Sequence, residues 1–366
     1  MKTNWQIKKL GEVLEYEQPT SYIVSSKNYR DDYETPVLTA GKSFILGKTK
    51  EKNGIFPKDK LPVIIFDDFT TATKFVDFLF KVKSSAMKIL HPVKNISDAK
   101  FLFYLIQNIS FDHTGIHKRY WISEYSKIEI LLPPLPEQHR IVKILDEVFE
   151  KIAKAKENAE KNLQNAKDLF ESYLQSVFFV SSDVKKIGDI CKVIAGQSPE
   201  GKFYNKSGEG MPFYQGKKEF REKYIGAPTT WTTDITKEAQ NGDILMSVRA
   251  PVGPINFATE KICVGRGLAA IRAGKDVDKN FVFYNLLSKQ KEIVGNVGAV
   301  FASINKADIE NIDIPFPPLS QQHKIVAKLD ALSEQTKKLE SIYKQKLADL
   351  EELKKSVLKS AFAGKL

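Results

Sequence analysis

One segment of this 366-residue chain is written twice: "LPPLPEQHRIVKILDEV" at 132–148 and "FPPLSQQHKIVAKLDAL" at 316–332. His139 and His323 stand 184 residues apart, and at the same offset Pro133, Pro134, Leu135, Gln138, Ile141, Val142, Leu145 and Asp146 recur as Pro317, Pro318, Leu319, Gln322, Ile325, Val326, Leu329 and Asp330. A spacing shared by so many positions makes an internal repeat the first constraint on the fold. Upstream, "KKLGEV" (8–13) is echoed by "KKIGDI" (185–190), and "DAKFLFYLI" (98–106) by "DKNFVFYNL" (278–286). Weaker echoes pair "TPVLTAGK" (35–42) with "MPFYQGK" (211–217), and the strand-like "VIIF" (63–66) with "ILMS" (244–247).

Each half obeys two sets of rules. Its first part, about 130 residues, mixes β-branched and aromatic runs with Gly, Pro and Asn turns and one short helix near its end, the pattern of an α/β globule. Its second part is a single long helix. From Ile141 the apolar positions run Leu145, Val148, Ile152, Ala155, Ala159, Leu163, Ala166, Phe170, Tyr173 and Val177, in steps of four and three with one extra four at 155, 159 and 163. That is a coiled-coil seam with one stutter. Ile325, Leu329, Leu332, Leu339, Tyr343, Leu347, Leu350, Val357 and Ala361 follow the same frame, with Thr336 and Lys354 as polar interruptions and the stutter at 339, 343 and 347. Matching stutters predict that the two helices pair with each other, as a rod roughly 65 Å long at about 1.5 Å per residue. The prolines before each helix supply no backbone donors and favour an extended approach, so the repeated segment reads as a junction between globule and rod, started by Pro136 in one copy and Ser320 in the other.

Length suits two or more cores, and 42% hydrophobic residues are enough to fill them. A formal charge of +11 raises the local concentration of polyanions, which makes nucleic acid the first partner to consider. A merely lysine-rich surface would carry the same charge. Two cysteines, Cys191 and Cys263, are too few for a disulfide framework or a four-ligand zinc site. With no signal-like N-terminus and no run of 18 apolar residues, the reading is a cytoplasmic protein with no membrane attachment.

Globule, "PPLxEQ"-type junction, long helix, second globule, second junction, second long helix: this arrangement resembles the DNA specificity subunit of type I restriction-modification systems. The resemblance covers essentially the whole chain, including the ending "KSVLKSAFAGKL". It implies an α+β protein with two α/β target recognition domains related by an internal repeat and joined by two long helices in an antiparallel coiled coil. Residues 1–132 and 181–316 would be the recognition domains, and 133–180 and 317–366 the helical regions. It further implies a non-catalytic reader of double-stranded DNA, on which two methyltransferase subunits dock and which restriction subunits join for cleavage. The residues point the same way independently, since two similar but non-identical globules on a paired rod form a pseudo-dimer suited to two different half-sites at a fixed separation.

No catalytic chemistry competes with this reading. The base-holding tetrapeptide of amino-directed methyltransferases, [DNS]-P-P-[YFW], is absent, because "LPPL" and "FPPL" lack both flanking residues. "GKS" (41–43) has Pro36 where a phosphate loop needs glycine, and "GRGLAA" (265–270) reads as a turn and strand rather than a dinucleotide site. The five histidines show no metal spacing, and no cofactor site is found. For His139 and His323 no carboxylate or nucleophile is repeated beside both in the sequence, so Gln138, His139, Gln322 and His323 are read as packing or partner-subunit residues.

Candidate DNA contacts lie in the segments that differ between the halves. Lys42 and Lys217 occupy equivalent places after glycines, suited to phosphate contacts that fix register, although a solvated lysine fits equally. "KKEFREK" adds Lys218 and Arg221, and "SVRAP" puts Arg249 just past a strand, where a guanidinium can address guanine O6 and N7. In the first half "HKRYW" offers Lys118, Arg119 and Tyr120, and "TTATK" offers Thr70 and Lys74. Two rivals remain at this level: a self-contained modifying enzyme, and a coiled-coil scaffold whose basic globules read no sequence.

Overall fold

The computed structural model describes residues 4–39, 43–109, 119–178, 183–295 and 303–366. They form two compact units, Met1–Glu160 with Gln345–Leu366, and Lys161–Lys344.

In the first unit an antiparallel sheet runs Leu14–Glu17, Met87–Pro92, Val63–Asp67, Thr73–Val76. A second sheet runs Ile45–Thr49, Thr35–Leu38, Lys81–Val82, the last pairing being parallel. The strand Val63–Asp67 is buried along its length. Successive side chains leave a strand on opposite faces, so Val63 and Ile65 enter a core with Leu38, Phe56 and Phe80. Ile64 and Phe66 enter another with Leu10, Leu90, Phe101 and Trp121. Helix α1 (Ala99–Asn108) covers this second core, capped by the Asp98 carboxylate, which accepts the Phe101 N–H at 2.8 Å.

The same core takes in both long helices. Helix α2 (Leu135–Phe178) gives it Ile141 and Leu145 from its start, and the last turns of the C-terminal helix give it Leu358 and Ala361. Arg140 donates to the Leu366 carbonyl at 2.9 Å and Lys156 pairs with Glu351 at 2.7 Å, so rising numbers in one helix meet falling numbers in the other. The helices are antiparallel here.

The second unit repeats the plan. Its first sheet runs Cys191–Ala195, Leu268–Ala273, Ile244–Ser247, Ile255–Phe257, all antiparallel. Met211–Tyr214 pairs in parallel with Ile262–Val264, the counterpart of the parallel pair in the first unit. Helix α3 (Lys279–Ser288), capped by Asp278, covers the core, which also holds Leu174 from the end of α2 and Val326 and Leu329 from the start of helix α4 (Leu319–Phe362).

Three sequence expectations shift. The helices begin at Leu135 and Leu319, one residue before Pro136 and Ser320, because the Pro134 and Pro318 carbonyls accept the first helical N–H groups, from Gln138 at 3.1 Å and Gln322 at 3.2 Å. Leu339 is 39% exposed, whereas the nominal interruption Thr336 is buried with its hydroxyl donated to the Leu332 and Ser333 carbonyls, which leaves its methyl group to pack. The echo "VIIF"/"ILMS" is out by one residue. Ile64 opposite Leu90 matches Ile244 opposite Ile271, and a one-residue slip would reverse the faces. "GRGLAA" is a turn leading into the strand Leu268–Ala273, as expected.

Candidate nucleic-acid interface

The repeated junction glutamines are fully buried in both units. The Gln138 amide oxygen accepts the Asp98 N–H at 2.8 Å, and its nitrogen donates to the Ile96 and Pro133 carbonyls at 2.9 and 2.8 Å. Gln322 does the same for Asp278 N–H at 2.8 Å and the Pro317 carbonyl at 2.9 Å. Two turns further along, the hydroxyls of Tyr104 and Tyr284 donate to Asp146 and Asp330, each aspartate also holding a lysine, Lys100 at 2.7 Å or Lys223 at 3.0 Å. Burial, reinforced by the aspartate bond, pushes both tyrosines well above the ordinary phenol range. Each globule is thus clamped to the long helix that follows it by the same two polar contacts.

Of the two alternatives read for Gln138 and Gln322, packing or a partner subunit, the structure shows packing, since their hydrogen bonds are spent inside their own unit. His139 and His323 are exposed beside them. A carboxylate does stand near both, Asp98 at 3.8 Å and Asp278 at 3.5 Å, brought there by folding although it is absent from the adjacent sequence. Those aspartates are helix caps, and at such distances on an exposed surface the attraction is weak. Among the described residues no group of three His, Cys, Asp or Glu could hold a metal, and no helix is long and apolar enough to cross a membrane.

The candidate DNA contacts fall into a pattern that spacing alone does not show. In the second unit Val248 N–H donates to the Gly267 carbonyl at 3.0 Å, Gly267 N–H to Gln215 at 3.1 Å, Gln197 N–H to Val264 at 2.9 Å and Ile304 N–H to Val248 at 3.1 Å. These bonds stitch five segments into one edge of the domain, which presents Arg249 and is flanked by Lys217, Lys218 and Arg221, all exposed. The Lys217–Glu219 turn is anchored by Glu219, buried and bonded to Thr229 at 2.7 Å, and Asn256 holds the Arg221 backbone from both sides at 2.8 and 2.9 Å.

The first unit makes the equivalent edge. Asp68 N–H donates to Ala86 at 3.3 Å and Tyr120 N–H donates to Asp68 at 3.0 Å, the counterparts of the Val248–Gly267 and Ile304–Val248 bonds. Arg119 is exposed there, and Lys74 is exposed on its strand with its ammonium 5.8 Å from the Phe44 ring. Tyr120 departs from the expectation. It is 4% exposed in the core because the Asp68 carbonyl and carboxylate pin Tyr120 and Trp121 N–H, so its ring has no face for a duplex. Thr70 is exposed, but its hydroxyl donates to Asp67 at 2.5 Å and shapes the turn. Lys42 and Lys118 lie outside the described residues.

The family model described as "Type I restriction modification DNA specificity domain" matches residues 2–162 and 180–351. The chain belongs to this family of DNA specificity subunits. It is 33% identical over 344 residues, 88% of this chain and 85% of the other, to the specificity subunit of the type I restriction enzyme EcoR124I/EcoR124II of Escherichia coli. It is 35% identical over 318 residues, 78% of this chain and 72% of the other, to the putative type I restriction enzyme MjaX specificity subunit of Methanocaldococcus jannaschii. Among solved structures, one described under complex assembly and conformational transition of the type I R-M system superposes with TM-score 0.83 at 27% identity, over 100% of this chain and 99% of the other. The HsdS subunit of Thermoanaerobacter tengcongensis superposes with TM-score 0.65 at 28% identity, over 100% of this chain and 98% of the other. The specificity-subunit fold, with its two repeated domains and two long helices, is that of the present chain.

Sequence reasoning missed the tyrosine–aspartate contact, although its signal was there: Tyr104 and Tyr284 recur within one echo and Asp146 and Asp330 within the other. It also passed over Arg266, whose turn it assigned correctly.

Proposed function

We propose that this specificity subunit is a non-catalytic reader of double-stranded DNA in a type I restriction-modification complex in the cytoplasm, each recognition domain reading one half of an asymmetric bipartite target. The paired helices fix the spacing of the halves and dock two methyltransferase subunits, with restriction subunits joining for cleavage. The observation that carries the reading is that both domains are clamped to their helices by the same contacts while their corresponding edges display different side chains, Arg249 in one and Arg119 in the other. A repeated mount with unlike heads calls for two unlike half-sites. The exposed His139 and His323, on equivalent faces beside the clamps, are proposed to meet the partner subunits. Lys217, Lys218, Arg221 and Lys74, with Lys42 and Lys118, are proposed as phosphate contacts that set register, and Arg249 and Arg119 as base readers.

The test is footprinting of the subunit together with its methyltransferase partner. Protection of two separated, unlike blocks supports the reading; protection independent of sequence that fades evenly with salt favours a non-reading scaffold. Methyl transfer from labelled S-adenosylmethionine by the lone chain would instead make it an enzyme.

A further inference from the structure

Arg266 sits at the stitched edge of the second domain, in a concavity of about 520 Å³ that it shares with Gln197, Ser198, Tyr204 and Gln215. The backbone beneath is packed as closely as it can be. A Cβ on Gly196 would lie 2.2 Å from the Gly265 carbonyl oxygen, one on Gly265 2.8 Å from Gln215 Cα, and one on Gly267 2.3 Å from the Gln215 carbonyl oxygen. Only glycine fits at these crossings, so Arg266, exposed between two buried glycines, is raised on a turn with no room to shift. Ser198 Oγ accepts the Arg266 N–H at 3.1 Å, and Tyr204 is held by stacking on Phe213 at 4.8 Å and by donating to the Pro199 carbonyl at 2.8 Å.

The side chains that converge here have one chemistry. Two carboxamides and a guanidinium line the concavity, no carboxylate does, and among the described residues no ion pair engages Arg266. A guanidinium matches guanine O6 and N7, and a carboxamide matches adenine N6 and N7. The main-chain bonds that join Val264, Gly267, Gln215 and Val248 place this concavity on the edge that presents Arg249. We propose that Arg266 is a specificity-determining residue of the second domain, reading a guanine through its major-groove edge, with Gln197 and Gln215 reading the flanking base pairs. This rests on the function proposed above and adds to it the residues that discriminate. The counterpart turn in the first domain, Lys83–Ala86 between Val82 and Met87, carries serines at 84 and 85, so the two domains differ where reading would occur.

The experiment uses the full chain assembled with its methyltransferase subunits and a library of duplexes with both half-sites randomised, scored by methylation. Arg266→Ala and Arg266→Lys should each lose discrimination at one base pair of one half-site by roughly 5- to 150-fold, the range of one bidentate contact, with the other half-site and the gap unchanged. Lysine fails as well because it keeps the charge and loses the fork. Gln215→Ala should relax a neighbouring position. If Arg266→Ala weakens all sequences alike and flattens the salt dependence by about one phosphate's worth while Arg266→Lys restores binding, Arg266 is a backbone contact and the proposal is overturned. Unaltered preference in both variants overturns it too. Failure of the proposed function would show separately, as absence of any bipartite preference in the unsubstituted complex.

Discussion

The two units differ least where each domain meets its helix and most where it would meet DNA. At the mount, Gln138 and Gln322 make the same bond to a capping aspartate, and Tyr104 and Tyr284 the same bond to Asp146 and Asp330. At the edge, the equivalent of Arg249 is Phe69, and a glycine-arginine-glycine turn in one domain answers lysine, two serines and alanine in the other. Buried polar groups must all be satisfied at once, so a mount built from them tolerates little change. Exposed side chains on a turn carry no such obligation. A chain of this construction can exchange what it reads without altering how the readers are held.

The largest expected effect breaks the mount through its apolar part. Leu145 and Leu329 are both fully buried, and Leu→Ala at either should destabilise by about 2–5 kcal/mol, measured by urea unfolding, with a charged residue worse still and half-site spacing or binding lost; unchanged activity on the original spacing would contradict the shared seam. Next comes the amide clamp. Gln138→Leu, which strands three partners, should cost about 3 kcal/mol and Gln322→Leu about 2 kcal/mol, and equal losses would show that the extra bond to Ile96 contributes nothing.

A third variant turns an asymmetry into a gain. Asn285 replaces Leu105 in α3 and has both side-chain polar atoms buried without a partner. Asn285→Leu should raise stability by about 1–3 kcal/mol, seen as a higher unfolding midpoint, and a loss would mean that the carboxamide is satisfied after all. The smallest effect is that of Tyr104→Phe or Tyr284→Phe, about 1 kcal/mol each. Because the folded phenols hold their protons above the pH at which the unfolded ones release them, this contribution is present below about pH 10 and declines as pH rises beyond it. Stability of the native chain should therefore fall more steeply above pH 10 than that of the double Phe variant, and parallel curves would count against the buried bonds.

Much of this architecture was legible in the chain because repetition exposes it: an offset of 184 residues locates both junctions and both helices, and a seam follows from apolar spacing. Local sequence could not show that Asp98 lies beside His139, or that Tyr120 turns inward, since the first is a side-chain contact made across 41 residues and the second follows from a backbone bond made across 52. The proposed reading edge was hidden for the same reason. Arg266 and Arg249 are neighbours only after two strands pair, and a short motif read alone said no more than turn. The weak echo at 63–66 slipped by one residue because four consecutive buried apolar side chains give no alternation to set the register.

Two unlike heads, each on its own copy of a repeated mount, are proposed to read two unlike half-sites. The most direct test is sequencing of methylated bases in genomic DNA from cells with and without this chain. The expected result is a motif of two different halves separated by a constant number of unspecified bases, present only with the protein. A contiguous motif, a palindrome with identical halves, or a methylation pattern that persists without the chain would contradict it.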